Sequence, residues 1–416
     1  VTGRQLTGGW ICRGAAALAV FLLVGGSAVP AAEKHKPAPS KPASAKAAPT
    51  APAAAAAAPN GAFTTEAKHA IIVETETGTV LFNKDADARM PPASMSKMMT
   101  AYVVFGLLKS GRAKLTDELP VSAEAWKLGG SKMFVPVGGR ISIDNLLQGM
   151  IVQSGNDSCV VLAEGLAGSQ PAFVDLMNAK AKEIGLTNSH FDNVDGLPDP
   201  NHWMTARDLA TLAWRTMQDF PEYYHYYSEK NFAFNNIDQG NRNPLLYTTP
   251  GTDGLKTGHT DESGYSLTAS VARGDRRVIM VESGLPTMKA RGQEGSRLVE
   301  WAFREFSDYK LFAAGDKVDD AETWLGAQPK VPLVIHQDVL VTMPRAARKD
   351  MKVTVSYTRP IPAPIAEGQE VGKVSITAPN VTPVELPLYA GASVARIGTI
   401  GRMATVAAYL IWGNRH

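Results

Sequence analysis

"PASMSKMMTAYVV", residues 92–104, places Ser94 and Lys97 three apart at the mouth of an apolar run. A serine hydroxyl is a poor nucleophile at neutral pH and needs a base within hydrogen-bond reach. Residues i and i+3 share a helix face, so Lys97 can stand beside Ser94. The spacing therefore suggests a nucleophile and its base. Alone it is a weak signal, because Ser-x-x-Lys turns up roughly once by chance in a chain this long. "SDYK" at Ser307 to Lys310 fits the same pattern. The rest of the chain has to decide.

Two further motifs follow in order. "QSGNDS" contains Ser154-Gly155-Asn156, and "DGLKTGHTDESGY" contains Lys256-Thr257-Gly258. A Lys-Thr-Gly is expected only about 0.05 times in a random chain of this length. The first motif opens a helical pattern, the second falls in a break between helices, and the third ends a strand pattern. This is the active-site set of the serine penicillin-recognising enzymes. Lys97 has to be neutral to accept a proton, a form that burial and a neighbouring cation both favour. Lys256 is the natural cation and can hold a terminal carboxylate. Ser154 can relay a proton to a leaving amine, and Asn156 can hydrogen-bond Lys97 and the substrate amide. Thr257 offers a hydroxyl to the carboxylate, and Gly258 leaves the strand edge open for a peptide. The unpaired amides of a helix N-terminus make the backbone N–H of Ser94 one half of an oxyanion hole, with that of His259 as the other. The His259 imidazole also permits a Ser-His-Asp reading, but the constellation already contains a base. No HExxH and no Cys/His cluster supports a zinc site, and no cofactor is implied.

The 416 residues leave room for two or three domains, and 20% charged with 44% hydrophobic residues is an ordinary globular composition. A net charge of +2 gives no footprint for nucleic acid. Arg4 and Arg13 precede "GAAALAVFLLVGG" and the small residues of "GSAVPAA", which reads as a secretory signal peptide over residues 1–32. An uncleaved N-terminal anchor is the alternative, and either way the rest of the chain is expected outside the cytoplasm. Residues 33–61 are an Ala/Pro/Lys tether. Cys12 belongs to the leader, and Cys159, in the apolar run "SCVVLAEGL", reads as a buried structural thiol.

"HAIIVETETGTVLFNKD" predicts two strands around a turn, several amphipathic helices follow, and "GTDGLKTGHT", "GYSLTASVARG" and "RRVIMVESGL" predict strands again. A last helix, "EGSRLVEWAFREF", runs to about Phe306. Strands, helices, then strands predict an α+β domain over residues 62–311 whose antiparallel sheet pairs the two ends of the sequence around a helical cluster. Short alternating segments separated by Pro and Gly predict a small all-β domain over 312–390. Residues 391–416 are apolar and helical with Arg396, Arg402 and Trp412, which suits a helix lying on a membrane surface; packing against the β domain is the alternative.

At this point the sequence resembles the low-molecular-mass penicillin-binding proteins, the serine-type D-alanyl-D-alanine carboxypeptidases. "PPASMSKMMTAY", "MIVQSGNDSCVVLAE", "FDNVDGLPDPNHWMTARDLA" and "TDGLKTGHTDESGYSLTAS" carry the likeness, which spans roughly residues 62–412. The resemblance implies a transpeptidase/β-lactamase-like fold and removal of the terminal D-alanine from peptidoglycan stem peptides through an acyl-enzyme on Ser94. It also implies acylation by β-lactams and a place on the periplasmic face of the cytoplasmic membrane. Arg291, in "KARGQEGSRLVEW", stands where that family has an arginine facing the substrate carboxylate, and a solvated loop arginine is the competing reading. A DD-endopeptidase would use the same residues. A class A β-lactamase has Ser-Asp-Asn where this chain has Ser-Gly-Asn, and it needs a glutamate that "NSHFDNVDGLPDP" lacks. A non-catalytic wall-binding protein would be expected to lose Ser94, Lys97 or Lys256, and none is lost.

Overall fold

A computed structural model describes residues 63–412. The leader at 1–32 and the tether at 33–61 lie outside the described residues.

Strands β1 (His69–Glu74) and β2 (Val80–Lys84) form a hairpin. β3 (Thr252–Thr260), β4 (Gly264–Arg273) and β5 (Arg276–Leu285) complete an antiparallel sheet in the order β2-β1-β5-β4-β3. Ile71 stands opposite Val281, so the two ends of the α+β segment pair as expected. Successive strand residues point to opposite faces. Ile71, Val73, Ile279 and Val281 accordingly join the core of the helical cluster, while Ile72, Val278 and Met280 join a second core under the last helix. This two-sided burial is why "AIIV" is apolar without alternation.

Helix α1 (Lys97–Lys109) is buried at every position from Lys97 to Phe105, which makes it the central helix of the cluster. Its polar Thr100 is satisfied by donating to the Val194 carbonyl at 2.6 Å. Helices α2 (Ile143–Val152), α3 (Asn156–Ala167), α4 (Gln170–Glu183) and α5 (Ala206–Asp219) pack around it or on the sheet.

The last helix before the β-rich part, α6 (Met288–Glu305), begins earlier than the sequence pattern suggested. Thr287 caps it by accepting a hydrogen bond from the Ala290 N–H at 3.0 Å. Gly292 and Gly295 interrupt the helical pattern there and obscure this first turn. Arg291 is therefore helical and buried, and the solvated-loop reading fails.

The all-β part starts directly at the end of α6, five residues before the change in composition at Leu311. Strand Phe306–Phe312 pairs with Val339–Pro344, with Tyr309 opposite Val341. A six-stranded sheet follows, its core built from Val331, Leu333, Val374, Ile376 and Leu388. The decoy pair lies in this first strand: Lys310 is exposed and pairs with Asp338 at 2.8 Å. A polar cluster joins the two domains, with Thr342 Oγ1 donating to Asp308 at 2.7 Å and Arg276 meeting Asp308 at 3.2 Å.

The final helix spans Thr399–Trp412, so Arg396 precedes it. Its described side chains are exposed apart from half-buried Arg402, with Ile400 86% and Leu410 78% exposed. The described side chains of this helix thus do not pack into the β-domain core. Among the described residues no helix is long and apolar enough to cross a membrane.

Candidate active site

Ser94 sits on a 3-10 turn, Ala93–Ser96, that leads into α1. In such a turn residues three apart eclipse, which is tighter than α-helical spacing. Lys97 Nζ lies 2.9 Å from Ser94 Oγ. Ser94 is half-buried and reachable, whereas Lys97 is only 1% exposed. The preceding Ala93 takes φ 47, a left-handed conformation that costs energy in a residue with a side chain and recurs at functional sites.

The Lys97 amine has two more partners, Asn156 Oδ1 at 2.8 Å and the Asp195 carbonyl at 2.5 Å. A neutral amine carries two N–H donors and one lone pair. Two acceptors, Asn156 Oδ1 and Asp195 O, can occupy both donors and leave the lone pair facing the Ser94 hydroxyl. Asn156 is held in turn by donating Nδ2 to Gly129 O at 3.0 Å. Ser154, two residues before it, adopts φ 64 and faces the second amine, accepting from Lys256 Nζ at 2.9 Å. The short turn Ser154–Asn156 thus links both lysines. The three motifs converge within hydrogen-bond reach.

Lys256 and Thr257 are buried on β3, the edge strand of the sheet. Burial, with Lys97 and Arg242 nearby, pushes the Lys256 amine well below its ordinary value. Among the described residues neither Lys97 nor Lys256 has a carboxylate within ion-pair distance. The site is therefore short of negative charge, which an anionic ligand would supply.

Gly258 also has a packing part at this site. A Cβ there would stand 2.9 Å from Pro92 O and 3.3 Å from Ala93 Cβ. Its bare backbone lets β3 close against the Ser94 turn, and this sets the Gly258–His259 main chain beside the nucleophile. The His259 ring is exposed and rests on Tyr265, with centroids 3.9 Å apart. Its ring stacks on Tyr265 while Ser94 Oγ is met by Lys97, so the structure gives no support to a Ser-His-Asp arrangement. Arg291 lies over the same Tyr265 ring at 5.8 Å and donates to Arg242 O at 3.3 Å. Cys159 is fully buried, and its thiol is pushed up to about 12 by desolvation, which suits an inert core residue.

Sequence reasoning missed Asp195, Gly196 and Arg242. Asp195 acts through its carbonyl, which no side-chain pattern reveals. Gly196 has φ 82, and a Cβ on it would meet Ala93 O at 2.0 Å. Gly196→Ala is expected to destabilise the fold by ~3 kcal/mol or more and to slow acylation, since backbone must move at the nucleophile turn. Denaturant unfolding with a parallel acylation assay checks this; an unchanged midpoint would contradict the packing described. Arg242 donates NH1 to Ser131 Oγ at 2.5 Å, across the loop that also holds Asn156.

Fold and site together define a serine acyl hydrolase activated by a buried lysine. The sequence profile of the D-alanyl-D-alanine carboxypeptidase family (peptidase S11) matches residues 53–287, and that of the penicillin-binding protein 5 C-terminal domain matches 306–396. The chain is 38% identical over 331 residues to the D-alanyl-D-alanine carboxypeptidase DacA of Escherichia coli K12, covering 78% of this chain and 82% of that protein. Penicillin binding protein 5 from Haemophilus influenzae superposes with a TM-score of 0.69 at 36% identity, over 80% of this chain and 99% of the other. Penicillin-Binding Protein D2 from Listeria monocytogenes in its ampicillin-bound form matches 58% of this chain and 98% of its own, with a TM-score of 0.54 and 28% identity. The chain belongs to the D-alanyl-D-alanine carboxypeptidase family.

Proposed function

We propose that this protein removes the terminal D-alanine from peptidoglycan pentapeptide stems through an acyl-enzyme on Ser94. The observation that carries the reading is the Lys97 amine, held by two carbonyl acceptors and 2.9 Å from the one reachable hydroxyl of the motif. The peptide lies along the open edge of β3, as an added strand would. Its carboxylate meets Lys256 and Thr257, with Arg291 behind them, and favours the ammonium form of Lys256. Ser94 Oγ attacks the penultimate carbonyl carbon while its proton passes to Lys97. The resulting oxyanion is held by the main-chain N–H groups of Ser94 and His259. As the C–N bond breaks, Ser154 relays a proton to the departing D-alanine amine. Water then attacks the ester, with Lys97 taking its proton, and returns Ser94. A β-lactam ring amide enters the same path and leaves its acyl group on Ser94.

Incubation with a peptide ending in D-Ala-D-Ala is expected to liberate free D-alanine without dimeric product. Cleavage of cross-linked muropeptides alone would establish an endopeptidase instead. A protein that neither cleaves peptide nor binds labelled penicillin would be a wall-binding relative.

The leader-like residues 1–32 and the exposed apolar side chains of the helix Thr399–Trp412 support an exported protein resting on the outer face of the cytoplasmic membrane. Val394 is buried in the β-domain core and Ile397 N donates to Leu325 O, so a clean truncation begins after Gly398. Removing residues 399–416 is expected to release the protein from vesicles while leaving peptide hydrolysis within about 2-fold, because the described side chains of the helix are exposed apart from half-buried Arg402 and none belongs to the site. Retention of the truncated protein on membranes would place the attachment elsewhere.

A further inference from the structure

Ser96, between the nucleophile and its base in sequence, points away from both. Its Oγ lies 2.5 Å from Nε2 of His202, and both residues are buried. On the other side of the ring, Nδ1 faces the backbone N–H groups of Asp192 at 3.3 Å and Asn193 at 3.4 Å. Two donors on Nδ1 make it the acceptor and put the proton on Nε2, which then donates to Ser96. Phe191 packs edge-on against the ring at 5.6 Å. The charged and titratable groups around it are Asp199, His190 and Lys97; burial, reinforced by His190 and Lys97 and opposed by Asp199, pushes the imidazole down to about 4. The ring is thus neutral at physiological pH and keeps this donor–acceptor polarity.

The placement of this ring matters because of what it joins. Residues 191–199 run behind the Ser94 turn and deliver the Asp195 carbonyl to Lys97 at 2.5 Å. Thr100 holds Val194 O in the same stretch at 2.6 Å. His202 grips the start of that loop through Nδ1 and the nucleophile turn through Nε2. It adds a side-chain bridge, beside those of Lys97 and Thr100, between the loop that carries the acceptor of the base and the turn that carries Ser94.

We propose that His202 is a positioning residue for acylation: through Ser96 it fixes the Ser94 turn against the Asp195 loop, so that two carbonyl acceptors aim the Lys97 lone pair at the Ser94 hydroxyl. The proposal rests on the acyl-enzyme reading above. A misplacement of about 1 Å in such a constellation costs on the order of 100-fold in rate.

The test separates binding from chemistry. Acylation by labelled penicillin is followed in wild type, His202→Phe, His202→Gln and Ser96→Ala, and reversible binding of a D-Ala-D-Ala peptide is measured for each on a Ser94→Ala background. His202→Phe and Ser96→Ala are expected to slow acylation roughly 10- to 100-fold while peptide affinity stays within about 2-fold. His202→Gln, which retains a neutral donor and acceptor, is expected to recover to within about 3-fold of wild type. Unchanged acylation in Ser96→Ala and His202→Phe would overturn the proposal. So would acylation and affinity falling together without rescue by Gln, which would mark a purely structural pair. Should His202→Phe fail to fold, Ser96→Ala and His202→Gln decide. Absence of acylation in the wild-type protein would instead remove the acyl-enzyme reading itself.

Discussion

Ser94→Ala is expected to give a folded protein that forms no covalent adduct with labelled penicillin and loses turnover by about 10⁵- to 10⁶-fold. The side chain is half-buried on its turn, and its hydroxyl meets the Lys97 amine. Removing one oxygen there leaves no cavity in the core, so stability should change little. The chemistry has no substitute: Ser96 is turned toward His202 and Ser154 toward Lys256. Mass spectrometry after incubation with a β-lactam reads the result. A persistent adduct in the variant would move the nucleophile to another residue.

Lys97→Arg should be nearly as damaging, with acylation reduced by about 10³-fold or more. A guanidinium does not release its proton at usable pH, so the charge is kept and the base is lost. It is also a planar fork, whereas the Lys97 pocket converges on one nitrogen, with the Ser94 hydroxyl at 2.9 Å and two carbonyl acceptors at 2.8 and 2.5 Å. A second buried cation close to Lys256 would then have no means of neutralising itself. Acylation kinetics across pH provide the measurement, and turnover close to wild type would remove Lys97 as the base.

Much of the fold could be read from residue order. The runs at 69–85 and 251–285 have strand character and the stretch between them has helical character, so a sheet closing the two ends of the segment was the economical solution. The start of α6 was less legible, because Gly292 and Gly295 break the apolar rhythm that would have extended it back to Thr287. The onset of the β domain at Phe306 was also hidden. A strand there follows a helix with no intervening turn residues, and only pairing with Val339–Pro344 reveals it.

At the site, residue types and order sufficed to single out Ser94, Lys97, Ser154, Asn156, Lys256, Thr257 and Gly258, because acyl transfer needs a hydroxyl, a base and a cation in a side-chain pattern that chance rarely supplies. What the residues do to one another was decided only in three dimensions. Gly258 proved to be a point of close approach to the Ser94 turn, Asp195 contributes a main-chain oxygen, and His202 reaches Ser96 across 106 positions. Sequence records side-chain chemistry residue by residue, whereas a carbonyl, a missing Cβ and a buried imidazole acquire meaning only from the neighbours that folding brings against them.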